Sequence, residues 1–263
     1  MAAEHSIDPM HQFSISPVGG GALTGHFAQF TNSALWMLIV TGCVVLFMWG
    51  GMQRKLIPGR WQVAAESLLE FINSLTVGNI GPEGRKFTPW VFTLFSFILI
   101  ANLMGLMPFG IVPAFHPFTI TSQFSLTGVL AIISFSTVLV VGFWRHGFHF
   151  FSLFIPHGTP LPMIPLIFII ELISFMVRPF SLALRLFVAM IAGHILMDVF
   201  ANFIVNGIQT GSMMGGGISL LCLIFIIFMS ALELLVCAIQ AYIFALLTSL
   251  YLKDAIHLHK LDH

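Results

Sequence analysis

Five charged side chains interrupt two long apolar runs in the second half of the chain: Glu171, Arg178, Arg185 and Asp198 in the first, Glu233 in the second. Each costs roughly 2.5–3.5 kcal/mol at the centre of a bilayer on insertion scales, so charges placed there usually face protein or water and mark ion paths. Arg185 is the sharpest of them, set mid-run between Leu184 and Leu186. Its guanidinium stays protonated under ordinary conditions. It therefore relays no proton, but it can attract a carboxylate and hold it ionised. No acidic residue stands three or four positions from it on either side, so its partner must come from another helix or another chain. At about 100° per residue, Arg178, Arg185, Ala189, Ala192 and Leu196 share a face. That face is small beside the arginine and lets another helix approach closely. The plainer account is a structural pair between Arg185 and Glu171 or Glu233 of the same chain.

His194 and Asp198 stand four apart, on the side of the helix opposite Arg185. Histidine takes up and releases protons near neutral pH, and a neighbouring carboxylate can orient it; the plainer account is a pair that only satisfies itself. Glu233 and Gln240 stand seven apart and so share a face of the last apolar run, where an acid and an amide could line a water-filled path. The remaining histidines read as interfacial or solvated: His146 and His149 near aromatic residues, His5, His11 and His26 near the N-terminus, and His257, His259 and His263 in the tail. None has Cys or Glu at metal-site spacing, so no metal and no cofactor is expected. Phosphate loops, nucleophile elbows and zinc-protease motifs are absent from the sequence.

The elements that must position these residues are helices in lipid. Of the 263 residues 58% are hydrophobic and 8% charged, with mean hydropathy +1.00, against roughly 25% charged in an ordinary soluble domain. So few charges cannot cover a soluble fold of this size. Formal net charge is +0, which offers no basic field to nucleic acid. Cys43, Cys222 and Cys237 lie inside apolar runs and read as reduced packing residues. Residues 1–32 carry Glu4 and Asp8 and no basic segment before an apolar core; they read as an outside segment, not a cleaved signal.

A spanning helix needs about 20 apolar residues. Residues 33–52 supply one, and 88–108 and 124–144 supply a transmembrane hairpin. Residues 60–77 place Trp61, Ala64, Ala65, Leu68, Ile72 and Leu75 at helical spacing, with Glu66, Glu70 and Asn73 opposite, the pattern of an amphipathic helix at the membrane surface. Lys and Arg fall in 53–87, at Arg145 and in the tail, which sets those segments inside and the N-terminus outside. The runs 161–206 and 217–252, the second continuing as helix to 256, would measure about 69 Å and 54 Å, far beyond the roughly 30 Å hydrocarbon core. A hairpin at Arg178–Pro179 lacks Gly or Asn. Two long, strongly tilted helices are therefore expected, the first kinked near Pro179, joined outside by the Gly-rich segment 207–217. The fold class is all-α integral membrane protein in a single membrane domain.

The stretch RLFVAMIAGH (185–194), with ELISFMVRPFSLAL before it, resembles the signature of subunit a of rotary F-type ATP synthases. The last run, ELLVCAIQAYIFALLTSLYLKDAIHLH, resembles that family's final helix, and NLMGLMPF (102–109) and DPMHQF (8–13) add to the likeness. The resemblance implies a non-catalytic, proton-conducting subunit. Such a subunit presses on a c-ring of membrane hairpin subunits, each bearing one carboxylate, with two offset aqueous half-channels reaching the ring. It also implies the peripheral-stalk subunit b and the rest of the complex as partners. By this likeness Arg185 separates the half-channels, Glu233 and His194 form the outer channel's polar pair, and Gln240 flanks the arginine. Glu171 belongs with the inner channel, and Asp198 is a local addition near the outer one. Many members carry Asn four residues after the arginine, where this chain has Ala189. The expected location is the bacterial inner membrane, with the mitochondrial inner membrane as the alternative.

Two other classes fit some of the residues. A secondary transporter could bind an anionic substrate at Arg185, but it should show repeated halves with matched helix breaks, and none are seen. A membrane redox enzyme could hold haem or metal through its histidines, and an absorption spectrum would reveal it.

Overall fold

The computed structural model describes residues 31–51, 59–106, 120–147, 150, 154 and 161–256. The outside segment before residue 31, most of the 109–123 loop, His149 and the tail histidines lie outside the described residues. The described chain forms six α-helices: α1 (Asn32–Gly51), α2 (Arg60–Ile80), α3 (Thr88–Leu106), α4 (Phe124–His146), α5 (Ile164–Gln209) and α6 (Met213–Ile256). Among the described residues, five of them, all but α2, are long and apolar enough to cross a membrane. The protein is an all-α, multi-pass membrane protein.

The core is built on α3, which packs against α1, α2 and α6. Val91, Phe92, Leu94, Phe95 and Ile98 of α3 are buried against Ile72 of α2, Leu182, Leu186 and Met190 of α5, and Cys237, Ala241, Phe244 and Ala245 of α6. Burial around most of its circumference suits a helix that is apolar all round. Short polar ties fix register where hydrocarbon gives none. Asn79 donates to the Ser249 hydroxyl at 2.9 Å, Ser134 and Thr248 share a hydrogen bond of 2.9 Å, and the Asn102 amide donates to the Cys237 carbonyl at 3.4 Å.

Helix α2 carries a narrower buried stripe than its sequence suggests. Ala65, Ile72, Thr76 and Ile80 are buried, whereas Trp61 is 69% exposed and Ala64 is exposed too. Trp61 sets its ring edge-on against Phe47 of α1, centroids 6.2 Å apart. Leu69 and Phe71, away from the expected stripe, are also exposed. Gly81 ends α2 at φ +92°, a backbone region open to glycine, and its N–H closes the last turn on the Val77 carbonyl at 2.8 Å.

Helices α5 and α6 run 46 and 44 residues without a break, roughly 69 Å and 66 Å. Neither fits upright in about 30 Å of hydrocarbon. Pro179 sits inside α5, which remains helical through it. The Gly-rich segment 207–217 was expected to be the connection, but most of it is helical: Gly207 ends up in α5 and Gly215, Gly216 and Gly217 in α6, leaving only Thr210–Ser212 between them. Gly207 and Gly215 serve contact, while Gly211 turns the chain at φ +61°. A Cβ on Gly207 would stand 2.7 Å from the Gly215 carbonyl oxygen, so the two helices leave the turn touching backbone to backbone.

Candidate functional site

The antiparallel pair α5–α6 carries every residue singled out for chemistry. On α5, Leu182, Leu186, Met190 and His194 are buried and face the bundle. The other side is a stripe of exposed residues, Ser181, Arg185, Val188, Ala192, Leu196, Val199 and Phe203. The spacing of three and four residues runs each stripe along one side of the helix.

Arg185 therefore lies on the surface of the chain, in an apolar stripe. Among the described residues no carboxylate lies within ion-pair distance of it, although its field reaches Tyr251 of α6. The structural pair considered from sequence exists, but it belongs to Arg178. That guanidinium stands 3.2 Å from Asp254 of α6 and 3.6 Å from Glu171, two turns back along α5. It also lies over the rings of Phe175 and Tyr251, 5.6 Å and 5.4 Å from their centroids. Planar, weakly hydrated guanidinium suits such mixed packing.

Toward the far end of the pair, His194 and Glu233 come together. Nε2 of His194 is 3.7 Å from Oε1 of Glu233, with the side chains 10% and 5% exposed. Gly193 makes that possible: a Cβ there would stand 2.6 Å from Oε1. Neither carboxylate oxygen of Glu233 accepts a hydrogen bond from a described residue, which is costly for a buried acid unless a proton or water satisfies it. Asp198, one turn beyond His194, is half-buried and close enough to act on Glu233 electrostatically. Gln240 is half-buried two turns further along α6. Measured along the helices from the His194–Glu233 contact, Arg185 is about 13.5 Å away and Gln240 about 10.5 Å in the same direction, so they occupy similar depths.

The structure thus joins His194 to Glu233 with Asp198 nearby, joins Glu171 to Arg178, and leaves Arg185 facing outward. Sequence reasoning missed Asp254, Tyr251 and Gly193. Asp254 sits in the LKDAIHLH end of the last run; only the packing of α6 on α5 brings it to Arg178. Gly193 carried a usable signal, a residue without a side chain beside a histidine.

Chemically, a fixed cation on an outward apolar stripe can meet a mobile carboxylate, and a buried acid–imidazole pair at another depth can pass protons. Among the described residues no three His, Cys, Asp or Glu gather to hold a metal ion.

Comparison with known proteins gives a consistent likeness. The ATP synthase A chain family matches residues 34–253. A protein of Rhizorhabdus wittichii named ATP synthase subunit a is 63% identical over 262 residues, covering 98% of this chain and 100% of its own length. Its namesake in Sphingopyxis alaskensis is 61% identical over the same shares. That of Rhodospirillum rubrum is 42% identical over 95% of this chain and 99% of its own.

Proposed function

The chain belongs to the ATP synthase A chain family, and from that premise we propose that it carries protons through two half-channels to and from the carboxylates of a rotating c-ring. It is a multi-pass protein of the bacterial inner membrane and a subunit of the ATP synthase membrane sector. In this reading it makes no bond itself; it couples proton flow to rotation, while ATP chemistry is done elsewhere in the complex.

The observation that carries the reading is Arg185, a permanent cation on an exposed apolar stripe with no carboxylate of the described chain in reach. A lone cation in lipid is too costly to be idle; a ring carboxylate arriving opposite it would relieve that cost. A proton from outside passes the Asp198, His194 and Glu233 group and neutralises a ring carboxylate, which can then face lipid. After rotation the site comes to Arg185, whose charge favours the ionised form, and the proton leaves toward Glu171. Gln240, at similar depth, supports the arginine with its amide. The drive is about 2.3 kcal/mol per charge per 100 mV, plus the pH term. Contact with the peripheral-stalk subunit b would hold this chain still while the ring turns.

Membership of this family argues against the transporter and redox readings. The deciding experiment is Arg185→Ala in the assembled complex in membrane vesicles. Coupled ATP synthesis should fall to background with the complex still assembled. Synthesis near the normal rate would remove Arg185 from the ring-facing role.

A further inference from the structure

A cavity of ≈ 570 Å³ opens at the basic end of the bundle, lined by Glu83, Lys86 and Phe87 of the turn into α3 and by Val140, Val141, Trp144 and Arg145 of α4. The turn before α3 and the end of α4 meet there, so the cavity sits where spanning helices leave hydrocarbon. Its size lies within the usual range for small-molecule sites. Arg145 is held by Glu83 at 2.6 Å, which neutralises one cation. Lys86 is exposed and has no ion-pair partner among the described residues. The lining therefore carries one unmatched positive charge.

The wall of the cavity continues into the span. Ile133, Ser136, Val140 and Trp144 form an exposed stripe along α4, and Trp144 is 89% exposed at the depth where tryptophan prefers to sit among headgroups. A ligand that fits both halves has one negative charge at the mouth and a hydrocarbon chain along the stripe. We propose that this cavity binds a monoanionic phospholipid of the phosphatidylglycerol type. The phosphodiester meets Lys86 and the free N–H donors of Arg145, and an acyl chain lies along Val140 and Ile133. A zwitterionic lipid brings its own cation and gains less from Lys86. The same phosphate chemistry could be supplied by free inorganic phosphate, but that ion would make no use of the apolar stripe.

The test uses the whole complex in phosphatidylcholine nanodiscs doped with phosphatidylglycerol carrying a photoactivatable diazirine in its acyl chain. A matching phosphatidylcholine probe is the control. Labelled peptides mapped by mass spectrometry should cluster on 133–144 for the anionic probe. The yield should fall about fivefold in Lys86→Gln, the scale expected for one lysine at an anionic headgroup, and persist in Lys86→Arg. Lys86→Gln leaves the Glu83–Arg145 pair in place, so assembly is preserved. Equal labelling by both probes, or labelling indifferent to Lys86→Gln, overturns the proposal. So does labelling abolished by inorganic phosphate, which would make the site a free-anion site. Absence of label from both probes also overturns it, since a neighbouring subunit would then fill the cavity.

Discussion

Arg178 and Arg185 stand two turns apart on the same helix, yet their surroundings are opposites. Arg178 is enclosed by two carboxylates and two aromatic rings, with 27% of its side chain exposed. Arg185 lies open on an apolar stripe with no such cage. The difference separates two uses of one side chain. A caged guanidinium braces α5 against α6, so its loss leaves Glu171 and Asp254 without their counter-charge. An open one contributes little to the chain's own stability and is available to a partner. In lipid, where a charge is expensive, the open position is the one that calls for a function.

The contrast can be broken most decisively at Arg185. Arg185→Ala should abolish coupled proton flow while leaving the melting temperature of the purified complex nearly unchanged, because no described carboxylate loses its partner. A large drop in melting temperature would show that the open arginine is structural after all. Next in size is Glu233→Gln, which removes the titrating group and keeps the shape. Proton conductance through vesicles stripped of the soluble sector should fall on the order of a hundredfold, the scale of losing one positioned acid or base; unchanged conductance would take Glu233 off the path.

Gly193→Ala tests the same pair through packing alone. The new Cβ would stand 2.6 Å from the Glu233 carboxylate, and such overpacking costs about 1–3 kcal/mol. Both stability and conductance should drop, and Gly193→Ala combined with Glu233→Ala should regain stability without regaining conductance. The smallest effect is expected at Arg178→Gln. The carboxylates it faces are 39% and 44% exposed, so solvent screens the pairs. Their loss, with the ring contacts, should cost about 1–2 kcal/mol, read as a lower melting temperature. Coupling should suffer less than in Glu233→Gln. If Arg178→Gln uncoupled the complex as fully as Arg185→Ala, the distinction between the caged and open arginines would collapse.

The five apolar helices and helix α2 were legible because hydrophobic length and period are local properties. The five apolar helices, the polar stripe of α2 and the improbability of Arg185 can each be read within one short window. The exit from α5 into α6 was less legible: Gly207 and Gly215, which resembled loop residues, are used for close helix contact, and glycine allows both. The ionisable residues of the site stand out one by one in the sequence, while local spacing leaves most of their pairs open. His194 shows Asp198 as its neighbour along the chain; its pairing with Glu233 of α6 was implied only by the family resemblance, and the fold sets the two 3.7 Å apart. Arg178 shows Glu171 locally, and the fold adds Asp254.

What the sequence determined by itself is a membrane-spanning helical chain of recognisable family, with ionisable groups too costly to be incidental. Tertiary structure alone decided which arginine is caged, how closely Glu233 approaches the imidazole, and where Gly193 yields space. The reason is that residue spacing fixes the face of a helix but not its offset against a neighbour. Arg178 and Asp254 are unequally distant along the chain from the turn at Gly211, so no count outward from that turn pairs them. That offset is set by side-chain packing and backbone approach along the whole length of α5 and α6.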